Sequence, residues 1–376
     1  MPAQILHVLF GQDALARAAG READPALASF VEALLAEHGS AFALGCQGPD
    51  VFYHSQHSRP VAIQYGTLLH RRSYGTFCAA LFERVLLGKD RGRPAFSELL
   101  SAEGAYALGF ATHAFLDRET HPYIVSKAGW VAPSRPETAR YARCHAFFER
   151  IIDALMLERL RGVSAAAWDQ AAILASACAS PAEGIKSAIV EALIDAFPER
   201  AAPDASLALR VDNAFKDAGA FYRVTDPART SLNLRLIDGF DYLSSAVGRS
   251  SVALVYPERF TLGLDYLNLA RGEWLNPCPD CGSDRRSFPD LYEAALEAAS
   301  AFLQAFLTHF RDANWIMEGA AARIGDGGLS IVDREGNPCA PARADPLPLD
   351  EVLESQYRLR LAWMARHKAE KARLIR

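Results

Sequence analysis

The stretch ALGFATHAFLDRETHPYI, residues 107–124, sets His113, Asp117 and His121 four residues apart in an apolar, small-residue segment. Four residues carry an α-helix about 40° past one full turn and raise it roughly 6 Å. His113 and Asp117 therefore project from one face as neighbours and can share a metal ion. His121 lies a turn further on and precedes Pro122. A residue before proline is pushed out of the helical region, so the helix is expected to end near His121 and leave its ring free to swing toward a second centre. His145 and Glu149, in HAFFERIID, repeat the spacing on another apolar helix. Such mixed nitrogen and oxygen donors suit zinc at about 2.0–2.2 Å. Neither pair is specific alone, and a lone H-x-x-x-E on a helix is more often an exposed ion pair. Crowding changes that reading: eight of the ten histidines, His7, His38, His54, His57, His70, His113, His121 and His145, fall within residues 1–145, where an even spread puts about four. Imidazoles among apolar helices are costly unless something satisfies them, and a metal cluster satisfies several at once.

Two further fragments belong with this set. GCQGPDVFYH, residues 45–54, places Asp50 after Gly48-Pro49, at a turn leading out of a helix. A carboxylate there can bind a metal or act as general base toward water. YGTLLHRRSYG, residues 65–75, places His70 at the end of a short apolar run. Arg71 and Arg72 come directly after it, either to receive a phosphate or simply as exposed arginines. His54 and His57 form an H-x-x-H that reads as loop histidines or as neighbours of the site.

The helices that must carry these residues are legible from apolar spacing at i, i+3, i+4 and i+7. They are expected over 25–39, 74–88, 102–119 and 137–162, with Gly39, Gly88 and Gly162 at C-cap positions. Further helices are expected near 165–197, 205–222, 232–247 and 287–316. Period-two runs are scarce; LSIVDREGNPC, residues 329–339, reads as a short hairpin. Loops are expected at 271–290 and 324–349. The class is all-α, with no internal repeat. The last segment, 357–376, holds seven Lys/Arg against one Glu. It reads as a solvated terminal helix or as a face for anionic lipid or a partner.

Composition sets the outer bounds. Of 376 residues 50% are hydrophobic, enough for one large core or two modest ones. A net charge of -5 speaks against binding polyanions by bulk charge, so no stable nucleic-acid complex is expected. The opening MPAQILHVLFGQDAL lacks a basic leader region, and no stretch is read as long enough to span a membrane; a soluble, cytoplasmic protein is the expectation. Seven scattered cysteines argue against a disulfide framework. Cys278 and Cys281 form a single C-x-x-C with no second pair, which reads as a loop rather than a structural zinc site.

Taken in order, the early histidine, the Gly-Pro-Asp turn, a histidine some twenty residues on, the H-x-x-x-D-x-x-x-H-P segment and the H-x-x-x-E helix resemble the zinc-dependent phospholipase C family. That family shares a fold superfamily with zinc nucleases specific for single strands. The likeness spans residues 7–149. It implies a multi-helix bundle over residues 1–162, with 163–376 as an additional helical region. It implies two or three zinc ions: His70, His113, Asp117 and Asp50 at the first; His121, His145 and Glu149 at the second; Asp117 bridging to a third that His7 also binds. Asp50 is the family's general base. The implied function is phosphate-ester hydrolysis of phospholipase C type by zinc-activated water, with phospholipid among the substrates. This chain departs from the family in beginning Met-Pro where an N-terminal tryptophan supplies its amine and carbonyl to the third zinc. It departs also in lacking a match to the aromatic and acidic choline pocket, with Val51 after Asp50. Two other readings stand beside this one. One is a nuclease or nucleotide phosphatase on the same site, with Phe52, Tyr53 and Tyr123 available for base stacking. The other is a non-catalytic, metal-stabilised helical binding module.

Overall fold

Apolar spacing becomes eleven named helices. In the first half these are α1 (Gln4–Gly20), α2 (Pro25–Cys46), α3 (Asp50–Tyr53), α4 (Ile63–Arg71), α5 (Tyr74–Leu86), α6 (Ala102–Ala128) and α7 (Cys144–Arg161). After them come α8 (Glu183–Ala196), α9 (Leu207–Val224), α10 (Phe288–His309) and α11 (Leu349–Leu374). The computed structural model describes residues 3–20, 25–86, 99–229, 252–257 and 263–374, with side chains of α11 given only in part beyond Leu359. Among the described residues the named strands are β1 (Trp274–Leu275) and β2 (Ser283–Asp284), an antiparallel pair with Trp274 opposite Asp284. The protein is all-α, as its periodicity predicts.

Helix α6 is the axis of the bundle. Ser101 starts it, in extended conformation, its hydroxyl accepting the Gly104 N–H at 3.0 Å. Most of its 27 residues are buried, and a helix covered on all sides belongs in a core. Helices α1, α2, α5, α7 and α10 pack against it. The α2 contact is backbone on backbone: a Cβ at Gly45 would overlap the Tyr106 carbonyl, and one at Gly109 the Phe42 carbonyl. One continuous apolar core takes residues from both sides of position 162, from Ile5 to Leu353.

Several sequence expectations need correction. The helix does not end at His121. It runs through Pro122 to Ala128, because Tyr123, Ile124 and Val125 are buried and the Tyr123 hydroxyl donates to the Tyr266 carbonyl at 2.8 Å. Tertiary packing of that segment outweighs the hydrogen bond that proline removes. Nor does α2 stop at Gly39. It bends at His38 (φ -128, ψ 19) and continues to Cys46. That extension makes it the one helix among the described residues long and apolar enough to cross a membrane, a length that a stop at Gly39 conceals. Gly162 does cap its helix, at φ +68; Gly88 and the helix expected at 232–247 lie outside the described residues. Helix α7 begins later than expected, because Pro136–Tyr141 is a 3-10 turn and Arg143 turns left-handed before it. The 165–197 segment is broken into short turns before α8. Helix α10 starts at Phe288, where the 287–316 expectation puts it, fixed by a capping box of Ser287 and Asp290, but it ends at His309. The 329–339 hairpin reduces to one bridge, Val332 to Pro338.

The cysteine reading also changes. Cys278 pairs with Cys339 across 61 residues, leaving Cys281 free. Disulfides persist in oxidising surroundings and are uncommon in the cytosol, which bears directly on the expected cytoplasmic location.

Candidate metal centre

His7 sits in the first turn of α1, and a buried acid on α7 fixes that turn. The N–H groups of Ile5 and Leu6 donate to Asp153 at 2.7 and 3.3 Å, as does the Tyr256 hydroxyl at 2.9 Å. Helix N-termini leave such N–H groups without intrahelical partners, and Asp153 takes two of them. Burial nevertheless pushes its carboxyl up to about 7. From the other side, the turn after α2 carries Asp50 toward α6. Gly48 makes this approach possible: it has φ +53, and a Cβ there would overlap the His113 ring. His70 arrives from the end of α4, and α6 supplies His113, Asp117 and His121.

Three groups that can hold a metal ion result: His7, His113 and Asp117; Asp50, His70 and His113; His121, His145 and Glu149. Asp117 is fully buried and faces three imidazoles. His113 Nε2 lies 3.1 Å from Oδ2, His70 Nε2 lies 3.8 Å from Oδ2, and His7 Nε2 lies 3.5 Å from Oδ1. His70 Nε2 is also 3.2 Å from Asp50 Oδ1. One turn along α6, His121 Nε2 meets His145 Nε2 at 3.2 Å, and His145 Nε2 meets Glu149 Oε1 at 2.7 Å. All eight sequence-predicted ligands are thus brought into adjacent groups. Met1 and Pro2, the expected source of an amine ligand, lie outside the described residues.

Proton positions are set by the partners. His70 Nδ1 lies 2.8 Å from the Gly66 carbonyl and His113 Nδ1 lies 3.2 Å from the Cys46 carbonyl. A carbonyl only accepts, so each Nδ1 carries hydrogen and a neutral ring turns its Nε2 lone pair toward the carboxylates. His7 is held well below its ordinary pKa by burial and by the neighbouring His113, and His121 is likewise lowered, first by burial. Burial would raise Asp117, but the adjacent His113 holds it well below the usual carboxylate range. Against burial, His145 and Arg150 help hold Glu149 down to about 2. Burial lowers His113, but the charge and hydrogen bond of Asp117 outweigh it and raise its pKa, so that pair shares a proton while His7 and His121 offer bare lone pairs. Both nitrogens of His7, both oxygens of Asp117, Asp50 Oδ1, His113 Nε2 and His121 Nδ1 are buried without a hydrogen-bond partner. Each such atom costs about 1–3 kcal/mol when left unsatisfied. A divalent cation among them removes that cost together, so the donor set fits a metal.

Other candidates fall elsewhere. His54 stacks on Phe221 at 3.9 Å, and burial, with Arg150 nearby, lowers it to about 3. His57 offers its backbone N–H to Asp217 at 2.9 Å. Phe52 and Tyr123 are buried in the core, away from any base-stacking role. Arg72 lies 6.0 Å over Phe197. Tyr53 and Arg71, in contrast, line a cleft of about 560 Å³ whose wall also includes His70 and His145. Trp130, Tyr141, Arg143 and the 328–341 loop complete that wall, and no sequence pattern singles them out. Asp153 also escapes a reading of the sequence, although it extends the His145–Glu149 spacing by four more residues.

No family model, no curated protein and no solved structure matches the chain.

Proposed function

We propose that the protein is a zinc-dependent hydrolase of phosphate esters, with a bundle of the zinc-dependent phospholipase C type. The observation that carries this reading is the set of acceptor atoms facing one another across Asp117, with His70 and His145 opening onto a cleft. Two donor atoms about 2.0–2.1 Å from one zinc ion at the tetrahedral angle are about 3.3 Å apart. The separations of 3.1, 3.5 and 3.2 Å around His113, His7 and His70 suit that spacing.

Zinc held by these groups supplies Lewis-acid polarisation of a phosphoryl group and acidifies water. The chain's own residues do the rest. His70 and His145 line the cleft, so the metal they would hold is the part of the centre an ester entering the cleft would meet. Asp50 is 15% exposed where Asp117 is sealed, and burial pushes its carboxyl up. It is therefore the acid placed to accept the proton of an attacking water while the ester P–O bond breaks and the alcohol leaves. Asp117 and Glu149, both held ionised, neutralise part of the cation charge. The test is elemental analysis of protein purified without chelator, and then hydrolysis of a nitrophenyl phosphodiester. Two or three zinc ions per chain with chelator-sensitive turnover is the expected result. Protein that neither carries nor takes up zinc would sink the proposal.

A further inference from the structure

We infer that the cleft beside the metal centre selects phosphate esters carrying a second anionic group, bound by Arg71 and Arg143. This inference rests on the hydrolase reading above. Arg71 is the next residue after His70, Arg143 stands two residues before His145, and all four line the same cleft. Both arginines are exposed at the cleft mouth. No carboxylate lines the cleft among the described residues, and neither arginine is paired with one there. The candidate ligand carboxylates Asp50, Asp117 and Glu149 are not among the residues that line the cleft. Two like charges on one cleft wall with no carboxylate beside them raise the local concentration of anions there.

The backbone supplies a second, independent observation. Arg143 adopts φ +70, ψ -5, the left-handed region. Glycine or asparagine occupies that region with less strain. Arginine stands there instead, and its side chain lines the cleft. Backbone strain of this kind gathers at ligand-binding sites. A planar guanidinium forks onto phosphate oxygens through paired N–H groups. With the scissile phosphoryl at His70 and His145, Arg71 and Arg143 are placed for a phosphate on the alcohol arm, while Trp130, Tyr141 and Val131 give its carbon skeleton an apolar wall. A cationic headgroup meets two guanidinium charges and no acid.

The test uses the zinc-loaded full chain and three nitrophenyl phosphodiesters that differ only in the second alcohol: glycerol phosphate, glycerol or choline. The expected kcat/KM for the glycerol phosphate ester exceeds that for the choline ester by about tenfold or more, the scale of one charged hydrogen bond. Arg71→Gln and Arg143→Gly should each collapse that ratio, and Arg143→Gly should melt no lower than the parent, because glycine relieves the left-handed turn. A choline preference, equal rates, or a ratio that survives both substitutions overturns the inference. Should none of the three esters be hydrolysed, it is the hydrolase reading that fails. The anion subsite is then judged by calorimetry with glycerol bisphosphate against glycerol monophosphate. Tighter binding of the bisphosphate that both variants abolish supports the subsite, and equal affinities reject it.

Discussion

Asp117 shows how much one side chain decides. Three imidazoles face its two oxygens, so replacing it with Asn keeps the shape and removes the charge that draws cations in. Asp117→Asn should reduce zinc per chain by at least one ion, read by mass spectrometry, whereas Glu149→Gln should disturb the His121–His145 group alone. Asp50→Asn should keep the fold and reduce turnover by about 100-fold or more, the range of a lost general base; a fully active variant rejects its role. His54 permits a pH prediction with a fixed sign. Its folded pKa, about 3, lies below the ordinary 6.5, so its contribution is complete above pH 6.5 and is lost as pH falls toward 3. Between pH 6.5 and 5 the loss approaches about 2 kcal/mol. His54→Phe, stacked on Phe221 in its place, should flatten that part of the urea-melt profile. The ligand pairs are legible in the sequence because a helix turns a spacing of four into adjacency. Asp153 is not, because its partners are backbone N–H groups 147 and 148 positions away, which no local pattern records.

At the scale of elements, the sequence reads correctly where a helix pattern meets an independent cap, and misleads where packing overrides the local signal. Pro122 and Gly39 are both local stop signals. Burial of Tyr123–Val125 overrules the first, and burial of Phe42–Cys46 overrules the second. The α2–α6 contact is the converse case: Gly45 and Gly109 look like weak points in helices, yet only their missing Cβ atoms let the backbones touch. That contact holds His113 and Asp117 against the Gly48 turn. Gly109→Ala should therefore cost about 2–4 kcal/mol, since backbone rather than a flexible side chain stands in the way. Gly39→Ala, with nothing within 4 Å of the added atom, should instead stabilise by about 0.5–1 kcal/mol. Chemical denaturation of the two variants beside the parent decides; similar gains in both would mean that only helix propensity is at stake at 109 and that the close backbone approach is not.

On the scale of the whole molecule, the residues after 163, for which the sequence offers no role, fasten and wall the site. Arg118, the neighbour of Asp117, donates to the carbonyls of Ile324, Gly325, Gly327 and Gly328. The Leu329 N–H donates to the His70 carbonyl at 2.9 Å, and the N–H groups of Asp345 and Leu347 donate to the carbonyls of Ser126 and Lys127 at the end of α6. These partners are backbone groups, so the strap formed by residues 324–347 has no sequence signature, and its Gly- and Pro-rich composition reads only as loop. The Cys278–Cys339 bridge anchors the strap, and Cys339 itself lines the cleft. Closing a loop of this length removes unfolded-chain entropy equivalent to about 4 kcal/mol at 25 °C. Cys339→Ser should therefore lower stability by up to that amount, and reductant should do the same to the parent while leaving the variant unmoved. Because all eight candidate ligands lie between positions 7 and 149, the variant should bind as much zinc as the parent. Its loosened cleft wall should raise KM for a phosphodiester more than it lowers kcat. Equal melts for parent and variant, with and without reductant, would mean that the two thiols stand apart in solution and that hydrogen bonds alone hold the strap over the site.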